Sequence, residues 1–412
     1  MLTAANKKLA ALYPGDPSAR QPVHTFIGGA DTFTSDAAQR AGRQAIDLLQ
    51  NFAPNGAALG RVVALPAGIP GLAELVRARV VSKLEREPIE DYRLDFEDGY
   101  GTRPDAEEDG HAASAAREVA AGMTAGTLPP FIGIRIKPMS KELHGRGLRT
   151  LDIFVTTLVK TAGRLPPNFA VTATKVMTPA HVSAVARSCA RLEKKLKLRR
   201  NAIQLELMIE TPQAIFTPDG RVALPALVKA GQGRVRGAHF GVYDYTALCG
   251  ITAAWQHPRH LACDFAREMM RVSLAQTGVM ISDGSSNILP IPPHVQAAWQ
   301  QHFDDVTHSL VNGFYQGWDL HPGHLPTRYA AVYAFYLSAR PAATARLSNF
   351  FTKAAKAGAA FDDAATGQAL VNFFNRGLSS GAITLDEAMQ TGLTESELQT
   401  GSFRRILASR QL

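Results

Sequence analysis

The chain has 412 residues, long enough for one large domain with an appendage or for two domains, and 46% of them are hydrophobic, so a substantial core is available. Its formal charge is +8, from 44 basic and 36 acidic residues, but the basic residues are scattered and lack the interleaved aromatics of a nucleic-acid surface, which excludes that class of partner. Three cysteines (Cys189, Cys249, Cys263) form no CxxC pair, no apolar run spans a bilayer and no signal-peptide core opens the chain, which points to a cytoplasmic protein with reduced thiols, no zinc site, no disulfide and no membrane partner.

Residues 1–21 read as an N-terminal helix and a loop. Residues 22–29 (PVHTFIGG) read as the first core strand, and helical spacing follows over 35–51. The short apolar run 61–66 reads as a strand, and 70–85 as an amphipathic helix with Pro70 at its start. The next strand is 92–97, inside Asp91-Tyr-Arg-Leu-Asp-Phe-Glu-Asp-Gly-Tyr-Gly. Asp91, Asp95, Glu97 and Asp98 crowd this segment, with Asp95 and Glu97 on one face of an extended chain. Packing alone does not justify an acid-rich strand end closed by glycine. The acids of 105–109 precede a helix over 112–121 and are read as ordinary company for a helix N-terminus.

Strands follow at 130–136, running into Arg135-Ile136-Lys137, and at 170–176, with Lys175 near its end. Helices are expected at 151–162 and 179–198. The basic run Lys194, Lys195, Lys197, Arg199 and Arg200 is read as the solvated end of the second. Residues 203–209 are mostly apolar, as in a parallel strand covered on both faces, and Pro212 stops the pairing. Glu210 is thereby left at a strand's C-terminal end, where α/β folds keep their chemistry. A strand over 237–244 also ends in an acid, Asp244. Two carboxylates at consecutive strand tips can grip one hard divalent cation; the competing reading of Glu210 is a helix cap or an arginine partner. Further strands are expected at 286–291 and 316–320, the last followed by His321-Pro322-Gly323-His324.

About eight strands alternating with helices over some 300 residues predict a (β/α)8 TIM barrel. No GxGxxG follows the first strand, which counts against a dinucleotide fold. The expected organisation is a barrel over 1–340, with an N-terminal helix and an insertion near 55–88, then a helical extension over 341–412 that becomes short helices from about Phe361.

The ordered strand ends resemble the HpcH/HpaI aldolase and citrate lyase β-subunit family of the phosphoenolpyruvate/pyruvate-binding barrels. The matching pieces are Asp95-Phe96-Glu97-Asp98, Arg135-Ile136-Lys137, Thr174-Lys175, Glu210-Thr211-Pro212, Gly241-Val242-Tyr243-Asp244 and Leu320-His321-Pro322, spread over roughly residues 22–340. The resemblance implies Mg²⁺ (or Mn²⁺) on Glu210 and Asp244, and Arg135 on the substrate's carbonyl and enolate oxygens. It also implies a homo-oligomer, trimer or hexamer. Three departures mark a divergent branch. Lys137 stands where the family has asparagine, and the region 367–372 lacks the aspartate that acyl-CoA members send into a neighbouring subunit. There is also extra sequence over 55–88 and between Glu210 and Asp244.

The expected activity is that of a Mg²⁺-dependent carbon–carbon lyase acting on a 2-oxo acid or 3-hydroxyacyl thioester through a metal-stabilised enolate. Arg135, Lys175 and Asp98 are the catalytic candidates; Arg135, Lys137, Glu97 and His321 the substrate-binding ones. A salt bridge to Glu97 or Asp98 is the alternative for Arg135. Lys175 could orient an acid, a Schiff base being disfavoured where a metal serves as electron sink. Lys137 could bind a phosphate or carboxylate, and His24 and His321 could move protons. Tyr243, Tyr245 and Trp318 are read as packing residues. The small-molecule partner would be a 2-oxo acid, phosphoenolpyruvate or an acyl-CoA. The rival activities are phosphoenolpyruvate-dependent phosphoryl transfer or CoA-thioester hydrolysis at the same site, or a barrel that only binds.

Overall fold

A computed structural model describes residues 2–15, 19–66, 68–357 and 364–410. Positions 16–18 of the expected N-terminal loop, and Phe361, where the appendage was expected to break into short helices, lie outside the described residues. Eight parallel strands, β1 (His24–Gly29), β2 (Asp91–Asp95), β3 (Phe131–Ile136), β4 (Phe169–Ala173), β5 (Gln204–Ile209), β6 (Val235–Phe240), β7 (Met280–Ser282) and β8 (Gly317–Asp319), pair in the order β7-β6-β5-β4-β3-β2-β1-β8. The ring closes just past β7. There the Asp283 amide donates to Gln316 O at 2.8 Å, the Trp318 amide donates to Gly284 O at 3.3 Å, and Ser285 bridges Trp318 in parallel. The fold is the expected (β/α)8 barrel with C-terminal helices.

Side chains alternate across each strand, and here the alternation separates two cores. Leu94, Ile132, Ile134, Val171, Leu205, Leu207, Ile209, Ala238 and Phe240 join one apolar cluster with the surrounding helices. The opposite positions carry polar side chains that bond one another across the barrel. Arg93 Nη2 meets Asp91 Oδ2 at 2.6 Å and Glu206 Oε2 at 2.8 Å, while Thr25 Oγ1 donates to Asp91 at 3.1 Å. Most barrels of this kind fill their interior with branched aliphatics; this one fills it with paired charges.

Two expected strands are corrected. The run 61–66 ends a helix, Gly56–Val62, which Asn55 caps by accepting from the Ala58 amide at 2.8 Å. The seventh strand is Met280–Ser282, not 286–291, a stretch that contains Pro290 and carries no strand. The helix Leu325–Ala357 runs through position 340 with Pro341 inside it, so the expected boundary falls within one element. The extension is tied back to the insertion by Arg79, which donates to Glu387 at 2.7 Å from the helix Leu72–Arg86. The N-terminal helix Leu2–Leu12 buries none of its residues. The cysteines are free, and no described helix is long and apolar enough to cross a membrane.

Gly133 makes the polar interior possible. A Cβ there would lie 2.0 Å from Ala170 O and 2.2 Å from Arg93 Nη1. Gly133→Ala is expected to destabilise the protein by about 3 kcal/mol, the upper part of the overpacking range, read as a lower urea midpoint at unchanged slope. Gly110→Ala, on an exposed helix position with nothing within 4 Å, is the control and should stabilise slightly. An unchanged midpoint for Gly133→Ala would contradict the close packing of strand and guanidinium.

Candidate functional site

The site is built at the C-terminal rim of the barrel, from the last residues of β2 to β6. β2 ends on Asp95, which is 1% exposed and accepts four hydrogen bonds. Two come from the Glu97 amide at 2.9 Å and the Gly99 amide at 2.7 Å, and they fold the segment 95–99 back over the strand end. The other two come from Arg135 at the end of β3, through Nε at 2.6 Å and Nη2 at 2.7 Å. The guanidinium is gripped along one edge, and Nη1 remains outside the fork, 3.4 Å from Glu97 Oε2. Arg135 therefore pairs first with Asp95, which the sequence reading did not name as a site residue, and only then with Glu97.

Lys175 is the second organising group. It follows β4 in a left-handed conformation (φ 47°), which turns its amide toward Glu210 and its side chain across the rim. The amide donates to Glu210 Oε1 at 2.6 Å. The ammonium donates to Glu97 and to both oxygens of Asp98, at 2.9 and 3.0 Å, and lies 3.5 Å from Asp244 Oδ2. One lysine thus touches four carboxylates from two strand ends and one helix. Asp244 is in the first turn of the helix Val242–Leu248 and not on the strand, because β6 stops at Phe240. Gly241 separates them, and a Cβ there would lie 2.4 Å from Glu210 Cβ and 2.7 Å from its Oε2, so only glycine leaves room for Glu210.

The charges do not balance. Among the described residues, Asp95, Glu97, Asp98, Glu210 and Asp244 face only Arg135 and Lys175. Burial, with Asp244 and then Glu97 adding negative charge, pushes the Glu210 carboxyl up to about 8. Burial and Asp98 push Glu97 up as well. Burial also opposes ionisation of Asp98, but the hydrogen bonds of Glu97 and Lys175 outweigh it and hold Asp98 below the usual range. Burial works against the charged form of Lys175, but Glu97, Asp98 and Glu210 together outweigh it, so the ammonium stays protonated and is a poor Schiff-base former. Excess hard oxygen donors around a concave rim suit a divalent cation. Mg²⁺ commonly takes only one or two protein carboxylates and keeps water or substrate oxygens for the rest of its shell.

Other candidates lie elsewhere. Lys137 is 6% exposed and its ammonium donates to Phe96 O at 2.7 Å, Gly101 O at 3.3 Å and Glu108 Oε2 at 2.8 Å. All three N–H groups are used within the protein, where they tie β3 to the helix Asp105–Ala125 and leave none free for the phosphate or carboxylate expected there. Glu108, read with its neighbours as a plain helix-start acid, is the buried partner of that tie. His321 is half-buried and caps the short helix Pro322–His324, its Nδ1 accepting from the Gly323 amide at 3.0 Å. Among the described residues no hydrogen bond or ion pair joins it to the carboxylate cluster. His24 is fully buried between Asp319 (2.9 Å) and the Glu90 amide (3.1 Å), which leaves no nitrogen for proton transfer. Tyr243 donates to Ser285 O at 3.1 Å, and Tyr245 packs edge-on against Phe240.

Among the described residues, one trio has its ligand atoms within 4.8 Å of one another: His302, Asp319 and His324. It sits behind β8, not at the rim. Asp319 Oδ1 already accepts from His302 at 3.0 Å and Arg328 at 2.9 Å, Oδ2 accepts from His24 at 2.9 Å, and His324 Nε2 bonds Ile288 O at 2.9 Å. A cation there would press against the Arg328 guanidinium, so the trio reads as a structural tie between β8 and the helices around it.

The family model DUF6986, described as a domain of unknown function, matches residues 2–406. No curated protein matches. A citrate lyase from Burkholderia xenovorans LB400 superposes with a TM-score of 0.56 at 17% identity, over 79% of this chain and 94% of that one. Haloferax volcanii malate synthase gives 0.46 at 14% identity in a magnesium and glyoxylate complex, over 75% of each chain. Its native form gives 0.49 at 13%, over 94% of this chain and 98% of that one. The first likeness is one of fold, and the two looser ones add nothing to it.

The elevated Glu210 carboxyl has a consequence for stability in EDTA. Below its ordinary 4.5 the group is protonated in both folded and unfolded chains, and it contributes no pH dependence. Between 4.5 and about 8 the unfolded chain ionises first, so stability falls as pH rises and then levels off. Glu210→Gln keeps an acceptor for the Lys175 amide and removes this loss, on the order of a few kcal/mol. The variant should melt with wild type near pH 4.5 and about 3–5 °C above it at pH 8.5 in thermal scans. A difference independent of pH would contradict the assignment.

Proposed function

The chain belongs to the DUF6986 family, and we propose that it is a divalent-cation-dependent carbon–carbon lyase acting on a 2-oxo acid or a 3-hydroxyacyl thioester. The observation that carries this reading is Lys175, which joins Glu210 through its amide and Asp244 through its ammonium, across the rim from an arginine whose Nη1 lies outside the Asp95 fork. Glu210 and Asp244 would hold the cation. When bound, Mg²⁺ or Mn²⁺ supplies Lewis acidity to the carboxylate and keto oxygens of a 2-oxo acid as the neighbouring C–C bond breaks or forms.

The chain's own residues do the rest. Arg135 is gripped along one edge by Asp95, which leaves Nη1 outside the fork, where it can donate to an oxygen on which charge develops. Asp98 is the most exposed carboxylate of the cluster, its side chain 56% exposed, and it can take the proton of a 3-hydroxy group from the solvent side. Lys175 orients it at 2.9 Å. The name of the Burkholderia barrel, a citrate lyase, falls in the same class of reaction. Phosphoryl transfer loses its particular support, because Lys137 has no free N–H for a phosphate. A barrel that only binds accounts poorly for five carboxyl groups gathered around one arginine and one lysine.

Deuterium exchange into the methyl group of pyruvate, followed by proton NMR in D₂O, tests the reading. Exchange should require Mg²⁺ or Mn²⁺, stop in EDTA, and fall at least a hundredfold in Glu210→Gln and in Arg135→Met. Exchange indifferent to EDTA, or absent from the wild-type protein with either cation and with acyl-CoA substrates also left uncleaved, would overturn it.

A further inference from the structure

The Asp95 fork fixes Arg135 within the plane of its guanidinium and leaves the tilt of that plane to whatever packs on its face. That neighbour is Trp318 of β8, 4% exposed, with its ring centroid 5.5 Å from Arg135 Cζ. The indole is itself held. Its Nε1–H donates to His239 Nδ1 at 2.8 Å, and the two rings meet edge-on at 75° with centroids 5.3 Å apart. With Nδ1 accepting, neutral His239 carries its proton on Nε2, and Nε2 faces Glu206 Oε2 at 3.2 Å. Glu206 is anchored in turn by Arg93 at 2.8 Å, Arg236 at 2.9 Å and Thr172 Oγ1 at 3.2 Å. Gly237, inward-facing between them, leaves the space that Glu206 and His239 share.

We propose that Trp318, His239 and Glu206 form a positioning chain inside the barrel that sets the tilt of Arg135 toward the substrate. The inference rests on the lyase reading for its catalytic consequence, though not for its geometry. The three residues lie on β8, β6 and β5, so the chain couples the rim to strands on the far side of the barrel from Asp95. A tryptophan free to rotate would let the guanidinium tilt while Asp95 still held its edge. Substrate would bind with nearly the same affinity but react more slowly, since Nη1 would miss the oxygen on which charge develops. A merely structural role predicts loss of stability with no particular split between binding and turnover.

The test compares Trp318→Phe, His239→Gln and His239→Leu in the full-length protein. It reads pyruvate methyl exchange with Mn²⁺ and the ¹⁹F spectrum of protein labelled with 5-fluorotryptophan. Trp318→Phe keeps an aromatic face and loses the N–H. His239→Gln keeps an acceptor for the indole and a donor toward Glu206, and His239→Leu keeps neither. Trp318→Phe and His239→Leu should lower kcat for exchange at least tenfold with KM within twofold. His239→Gln should recover to within threefold of wild type. The Trp318 resonance, identified by its loss in Trp318→Phe, should broaden or shift in His239→Leu and stay in place in His239→Gln. Wild-type exchange rates in a folded Trp318→Phe, a change confined to KM, or equal losses in both His239 variants would overturn the proposal. Should His239→Leu fail to fold, Trp318→Phe and His239→Gln still decide it. Absence of exchange in the wild-type protein would strike the lyase reading instead. The chain would then stand on the ¹⁹F resonance alone: a shift on Arg135→Met sustains it, and none refutes it.

Discussion

The Asp95 carboxylate is the constraint on which the rim depends. It is buried, it accepts two amides from its own turn, and it receives both donors of one edge of Arg135. Taking either partner of such a pair away leaves a charge without compensation in a poorly solvated place, a loss of about 3–5 kcal/mol. The same carboxylate therefore places Glu97, by folding the turn, and Arg135, by gripping its edge. Glu97 then receives Lys175, and Lys175 reaches Asp98, Asp244 and Glu210. One buried group fixes the relative position of side chains that come from four strand ends and one helix.

The interior below the rim extends the same logic. Asp91, Arg93 and Glu206 are almost wholly buried, and burial with Glu206 close by pushes Asp91 up even though Arg93 opposes the shift. A filling of aliphatic side chains would give at least as much stability. A filling of paired charges fixes directions, because each hydrogen bond has a preferred angle and each guanidinium a plane. The apolar cluster between sheet and helices supplies the cohesion that such an interior lacks. Stability and orientation are thus assigned to opposite faces of the same strands.

Much of this was legible in the residues. Alternating strand and helix patterns located seven of the eight strands, and six short motifs in order placed Glu97, Asp98, Arg135, Lys175 and Glu210 at strand ends, where they lie. Asp244 was expected on a strand and stands on a helix, because the segment after Gly241 is too short to separate the two by periodicity. Strand β7 was missed because three residues carry no period. The polar interior was written in plain alternation, as in Asp91-Tyr-Arg-Leu-Asp and Gln204-Leu-Glu-Leu-Met-Ile, but the apolar half of the pattern dominated the reading. Lys137 and Glu108 are 29 residues apart and meet only in three dimensions. For the same reason neither the Asp95–Arg135 pair nor the contact of Trp318 with His239 could be read from spacing.

The central claim is that the carboxylates at this rim are arranged around a divalent cation. Titration of the protein with Mn²⁺, followed by electron paramagnetic resonance of the free ion, addresses it without reference to any substrate. The account predicts one tight Mn²⁺ per chain, displaced by Mg²⁺, and weakened at least a hundredfold in folded Glu210→Gln and Asp244→Asn. Equal binding by wild type and both variants, or no binding by any of them, would contradict it.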